Sequence, residues 1–390
     1  MPRQPKAAPG AAPKKNVRDQ LKSLGQVAAQ FKSWRPAKEV LTTVRAQPTI
    51  FPQFDIATRV GGWPLQRFGL IHGPSNNGKT IFVHGLGLSF LRAGSFYAYV
   101  DAEYTTPEDW LRTLMAEHAD HPGFVAQRPR SFEDTVDSVR EFVEGIGKAR
   151  DDGKLAPETS ALIVIDSIRK LVPDKLMAKI AKDGASGAGV DGAGGRAAQM
   201  RAALNAQWLD ELVPLLYHTG TTMLFIARET DDPDADFMSK KYGTDYKVGG
   251  GKALIFDSSL ACRITRASWL KRGTGEDAVI VGERHRVRIH KTKVGGKDGK
   301  YTDAFFHTSN GVESPAGFDH ARDVFDLALE YGLIEKAGAW YAFEGERMGN
   351  GEENAVAYLR KLPDKCDWLE EKVRAAAQDA LVKGGTDVET

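Results

Sequence analysis

Apolar and polar residues run in blocks along this chain rather than alternating singly. Four short runs are apolar almost throughout: "FGLIHG", "FYAYVDAE", "ALIVIDS" and "TTMLFIA". Stretches with helical spacing of apolar residues lie between them. A strand with one wet face would alternate, so unbroken apolar strands between helices predict a parallel sheet covered on both faces. This pattern fills residues 51–315 and predicts an α/β core. Upstream, Leu21, Leu24, Val27, Ala28 and Phe31 fall at helical spacing and predict one or two amphipathic helices within 17–50. Residues 1–16 are rich in Pro, Ala and Lys and read as a disordered basic tail. Residues 316–380 are mostly helical with a short β segment near "GAWYAF", which predicts a small α+β domain before a tail at 381–390.

Composition narrows the class. The chain has 390 residues, 42% hydrophobic and 27% charged, which suits one large domain with small additions. No apolar run approaches a membrane span, and the polar N-terminus lacks a secretory apolar region. Cys262 and Cys366 form no metal spacing and suit a reducing cytoplasm. The net charge of +1 hides two basic clusters, one in the first 45 residues and one between Arg263 and Lys300. Such clusters fit either a polyanionic partner or a solvated surface.

The sharpest motif is "GPSNNGKTI", Gly73, Pro74, Ser75, Asn76, Asn77, Gly78, Lys79, Thr80 and Ile81. It follows an apolar strand and opens a helical pattern, the context a phosphate-binding loop needs. Its glycines let backbone N–H groups turn inward, and the helix N-terminus adds partial positive charge. Lys79 is placed to reach the β and γ phosphates of ATP, and Thr80 to ligate Mg²⁺. "ALIVIDS" ends in Asp166, a carboxylate that can hold Mg²⁺ through water; an ordinary turn aspartate is the plainer reading. "FYAYVDAEY" ends in Asp101 and Glu103. Parallel strands deliver ligands at their C-terminal ends, so Glu103 is a candidate general base, or else a cap for the next helix.

At this point the chain resembles the bacterial RecA recombinase family, over most of its length. "DIATRVGGWPLQR" at 55–67, "GPSNNGKT", "DAE" and "VIDS" are similar to family segments in order and spacing. "GGGKALIF" at 249–256 resembles the close of the family's second DNA loop, and "RVRIHKTK" at 286–293 its basic strand. "LIEKAGAWYAFEGERMGNG" at 333–351 resembles its C-terminal domain, which other ATPases of this fold lack. The resemblance implies a RecA-type core and an ATP-dependent recombinase. It would form a filament on single-stranded DNA and pair it with homologous double-stranded DNA. Single-strand-binding and mediator proteins are further candidate partners.

The resemblance also implies roles for residues. The Gly/Ala-rich stretch "KDGASGAGVDGAGGR" falls where the family has its first DNA loop, about 175–196. Gly187, Gly189, Gly192, Gly194, Gly195 and Arg196 would then approach the DNA backbone. The stretch is longer than the family loop, and a linker is the competing reading. The second loop would span about 229–251. There Tyr242, followed by Gly243, aligns with the family's aromatic wedge between bases, and Lys240, Lys241 and Lys247 would contact phosphates. Gly250, Gly251 and Lys252 would close the loop. Lys291 and Lys293 match a lysine pair that reaches the ATP of the neighbouring subunit, while Arg286 and Arg288 continue the alternation toward a secondary DNA site. A basic edge strand is the alternative. Trp110 matches an aromatic that stacks on adenine, or belongs to the core. The N-terminal helix and "PTIFPQF" would dock on the adjacent protomer of a helical filament.

Two departures stand out. The family's Asn-Gln pair, whose Gln senses the γ-phosphate, is replaced by Ala227 and Arg228. Arg228 would contact the phosphate or DNA. The acidic tail is reduced to "TDVET". These departures mark a divergent member, and a phage-encoded one is a possible origin. Two other functions remain open: a hexameric DNA helicase or motor ATPase of the same fold, and a non-catalytic DNA-binding paralogue.

Overall fold

The computed structural model describes residues 22, 26–27, 30, 43–183, 194–232, 234–238, 246–273, 275–295 and 302–386. Residues up to Val44 form one unit, in which Lys22, Gln26 and Val27 are helical. Arg45 onward forms a second compact unit.

The centre of the second unit is a large mixed sheet. β3 (Phe68–Gly73), β4 (Phe96–Asp101), β5 (Phe124–Gln127), β6 (Ala161–Asp166), β7 (Thr221–Asp231) and β9 (Leu260–Arg272) lie in the order β9-β3-β7-β6-β4-β5, all parallel. β10 (Val279–Thr292), β11 (Thr302–Ser309) and β12 (Gly317–Phe318) extend it antiparallel beyond β9. The α/β expectation is met. The unbroken apolar runs are the strands with two covered faces: every residue of β3 and β6 is buried. One face packs on α2 (Lys79–Arg92) through Phe82, Leu86 and Phe90. The other packs on α4 (Phe132–Asp151) and α6 (Gly194–Thr219) through Val139, Val143, Trp208 and Leu212. At about 25 cal/mol per Å², each such large side chain contributes roughly 1.5–3 kcal/mol.

β3 and β4 are consecutive in the chain yet separated by β7 and β6 in the sheet. The chain therefore leaves β3 in one direction and returns on the far side of two strands. Open parallel sheets form their binding crevice at such a point, outside the strand C-termini.

The segment "PTIFPQF" is not a simple extended arm, and its phenylalanines pack within their own unit. β1 (Ala46–Gln47) pairs with β2 (Trp63–Pro64), and Pro52–Thr58 is a helix, α1. Phe51 and Phe54 are buried; Phe51 stacks on Phe82 at 4.8 Å and Phe54 on Trp63 at 5.8 Å. Apolar residues beside prolines announced burial correctly but not the surface that covers them.

The C-terminal part has its own core. β13 (Ile334–Ala337), β14 (Trp340–Phe343) and β15 (Glu346–Asn350) form an antiparallel sheet. It packs on α8 (His320–Glu330), α9 (Glu352–Lys361) and α10 (Pro363–Thr386). Arg374 on α10 reaches Asp55 on α1 at 2.9 Å, tying this part to the rest of the unit. Among the described residues no helix is long and apolar enough to cross a membrane.

Candidate nucleotide and DNA site

Parallel register brings the candidate residues to one edge. Asp101 of β4 lies beside Asp166 of β6, and Gly73 of β3 beside Arg228 of β7. A cavity of about 450 Å³ opens there, lined by Ser75 to Ile81, Glu103, Thr105, Asp166, Ile226, Arg228, Arg266 and Glu283.

The candidate phosphate loop is local in origin. Gly73 has φ 152°, and a Cβ there would meet the Ile264 carbonyl oxygen at 2.2 Å. Gly78 has φ 91°, and its Cβ would meet the His285 ring at 2.5 Å. Only glycine fits both. Gly78 heads α2 without a side-chain cap, which leaves first-turn N–H groups for an anion. Lys79 Nζ donates to the Pro74 carbonyl at 2.6 Å, folding its ammonium over the loop. Burial holds that ammonium below the usual lysine range, opposed by Asp166.

Thr80 Oγ1 donates to Asp166 Oδ2 at 2.8 Å, and the Tyr99 hydroxyl donates to the same oxygen at 3.0 Å. Burial pushes the Asp166 carboxyl up to about 6, opposed by its bond from Thr80. A buried carboxylate beside a threonine hydroxyl suits a small hard cation with oxygen ligands, so the residues fit Mg²⁺.

Glu103 sits at the cavity wall, and the carbonyl of Asp166 accepts its backbone N–H at 3.2 Å. Both its carboxylate oxygens are engaged. Ser167 Oγ donates to Oε1 at 2.6 Å, and the Arg228 guanidinium forms an ion pair with Oε2. Arg228 thus meets the carboxylate across the crevice.

The next residue on β7 points into a second cluster. Arg263 Nε and Nη2 donate to the two oxygens of Glu229, each at 2.8 Å, and His72 Nδ1 donates to Oε1 at 2.7 Å. Burial opposes ionisation of Glu229, but His72 and Arg263 hold its carboxyl below the usual range. Burial lowers His72, opposed by its bond to Glu229. Tyr246 lies over the Arg263 guanidinium at 4.2 Å.

The DNA-loop expectations change in detail. The expected start of the first loop, from about 175, lies in helix α5 (Asp174–Asp183), and Gly194, Gly195 and Arg196 begin α6. The second loop begins later than Glu229, because β7 runs to Asp231 and pairs with β8 (Tyr246–Val248). Lys247 pairs with Asp232 at 2.7 Å. Gly250 and Gly251 turn into α7 (Lys252–Asp257) at φ 93° and 98°. Gly187, Gly189, Gly192, Lys240, Lys241, Tyr242 and Gly243 lie outside the described residues.

β10 is interior, between β9 and β11, so the basic edge strand is ruled out. In a regular strand, Arg286 and Arg288 would face away from Lys291. An irregularity at His290 corrects this: Arg288 opposes Arg263 and Lys291 opposes Ala261, two residues on, so all three share a face. Arg288 Nε donates to Asp303 at 2.7 Å, and Arg286 lies 3.8 Å from the same carboxylate. Lys291 donates to the Ile255 and Phe256 carbonyls at 2.5 Å, and Lys293 to the Asp257 carbonyl at 3.2 Å. The two lysines therefore cap the C-terminus of α7, where cations are favoured. Trp110 does not line the cavity; it is half-buried, 5.6 Å from the His84 ring.

Sequence reading passed over Ser167 and Arg266. Arg266 donates its backbone N–H to Asn77 Oδ1 and its guanidinium to the Asn76 carbonyl, both at 2.8 Å, bracing the phosphate loop from β9. Its place in the basic cluster was the only signal.

Two family models match the chain, the RecA N-terminal domain over residues 35–304 and the RecA C-terminal domain over 322–378. The protein of Kineococcus radiotolerans named Protein RecA is 31% identical over 340 residues, covering 87% of this chain and 85% of its own length. Its namesake in Nocardioides is 32% identical over 334 residues, covering 85% and 83%. That of Leifsonia xyli is 31% identical over 356 residues, covering 90% and 87%.

Proposed function

The chain belongs to the RecA family as a divergent member, and on that footing we propose that it is an ATP-driven DNA recombinase. It assembles as a helical filament on single-stranded DNA in the cytoplasm and exchanges strands with a homologous duplex. The observation that carries this reading is the meeting of Lys79, Thr80, Glu103 and Asp166 in one cavity at the C-terminal edge of the sheet.

In this reading the uncapped N-terminus of α2 and Lys79 hold the ATP phosphates. Thr80 and Asp166 hold Mg²⁺, which when bound screens phosphate charge. Glu103 orients water and accepts its proton. Lys291 and Lys293 leave the end of α7 to reach the nucleotide of the adjacent protomer, which makes turnover depend on assembly. The two loops, Arg286 and Arg288 serve DNA, with affinity that falls as salt rises.

Electron microscopy with single-stranded DNA and a slowly hydrolysed ATP analogue tests the assembly. Open helical filaments are expected. Closed rings would point to a hexameric motor, and failure to assemble to a non-catalytic paralogue.

A further inference from the structure

Each carboxylate oxygen of Glu103 has a partner. Ser167 holds Oε1 at 2.6 Å, and Arg228 pairs with Oε2. The Glu103 side chain is 9% exposed and that of Arg228 38%, and both border the cavity. A general base must reach a water proton, and here a guanidinium stands against one of the two oxygens that would take it. Glu103 therefore borders the cavity with both oxygens already engaged.

Arg228 is also bound to the second loop. Its carbonyl accepts the Gly249 N–H at 3.0 Å. The next three residues, Glu229 to Asp231, pair with Val248 to Tyr246 of β8. The returning arm of the loop is thus fastened to the backbone that carries the guanidinium. A shift of that arm moves Arg228 directly, whereas Glu103 stays fixed by Asp166 and Ser167.

Resting on the ATPase reading above, we propose that Arg228 is a latch: it pairs with Glu103 in the DNA-free subunit, and movement of the second loop's arms draws it off. The freed guanidinium borders the same cavity as Lys79 and can turn to the phosphates. Arg228 is a positioning residue in the resting state, and its effect on the reaction runs through Glu103. DNA stimulation of turnover then follows from release of a base already in place.

The test compares wild type, Arg228→Gln, Arg228→Lys and Glu103→Gln for ATP turnover with and without single-stranded DNA. Competition with a fluorescent nucleotide gives ATP and ADP affinities for each folded variant. The latch predicts that Arg228→Gln raises DNA-free turnover on the order of tenfold, a fraction of what a general base contributes. It also predicts a smaller DNA-stimulation ratio and a weaker preference for ATP over ADP. Arg228→Lys, which keeps the cation, should raise DNA-free turnover less than Arg228→Gln does, and Glu103→Gln should be inert throughout. Normal DNA-stimulated turnover in wild type, with unchanged or lower DNA-free turnover in Arg228→Gln that still binds ATP, overturns the latch alone. A wild type that hydrolyses no ATP even with DNA overturns the ATPase reading and the latch with it.

Discussion

On one side of the cavity, Gly73 to Thr80 form a phosphate loop from consecutive residues, shaped by two glycines and the start of α2. On the other side, Arg228 and Glu229 take their partners from far along the chain: Glu103 for the first, His72 and Arg263 for the second. The first side is a backbone device that presents N–H groups and one ammonium to an anion. The second is a set of side chains paired with one another across the sheet edge. The Gly73–Thr80 loop therefore suits anion binding, and the end of β7 ties the sheet edge to the second loop.

The largest expected effect is on the loop side. Lys79→Ala should lower ATP turnover by about 10²–10³-fold, the usual cost of losing a cation or donor aimed at transferring charge. Steady-state hydrolysis with saturating DNA measures it, and the melting temperature should barely move. Near-normal turnover would take the loop out of the account.

Glu229→Ala should show the opposite profile. It leaves Arg263 without its buried carboxylate and His72 without an acceptor, at about 3 kcal/mol. Denaturant unfolding should show that loss, while ADP binding at low temperature survives. If stability holds and ADP binding fails, the division between the two sides is wrong.

Lys291→Ala with Lys293→Ala should cut DNA-stimulated turnover by at least about tenfold while leaving nucleotide binding intact, as expected for cations that stabilise transferring charge. Mixing this variant with Lys79→Ala protein places the lysines. If they act across the interface, sites formed by the lysine variant beside a Lys79→Ala neighbour have every group, and activity partly recovers. If they act within one subunit, every site carries a lesion, and a co-assembled mixture stays inert.

The mildest test lies under the loop. Burial pushes the His84 imidazole down to about 3, with its Nδ1 against the Tyr97 hydroxyl at 2.8 Å. An unfolded histidine, near 6.5, takes a proton that the folded state refuses. Its contribution is complete above about 6.5 and drains as pH falls toward the folded value. Between pH 7 and 6 this amounts to roughly 0.7 kcal/mol. Unfolding curves at both pH values should show a slope that His84→Gln reduces.

What the sequence disclosed follows the same division. Buried parallel strands are unbroken apolar runs, so β3, β4, β6 and β7 were legible, and with them the strand ends that carry Asp166 and Glu103. The phosphate loop was legible because its geometry is contained in adjacent residues. Arg228 could be flagged as a departure, but its pairing with Glu103 depends on how β4 and β7 are placed by the sheet. The irregularity at His290 was hidden because single residues inserted in a strand leave no periodic trace. In "PTIFPQF", apolar residues next to prolines fit an extended segment as well as the short buried helix that forms.

The most direct measurement is strand exchange itself: a single-stranded circle, a homologous linear duplex, ATP and Mg²⁺. The account predicts joint molecules that depend on ATP and homology, appear with wild type and vanish with Lys79→Ala. DNA-stimulated ATP hydrolysis without any homologous pairing would contradict it.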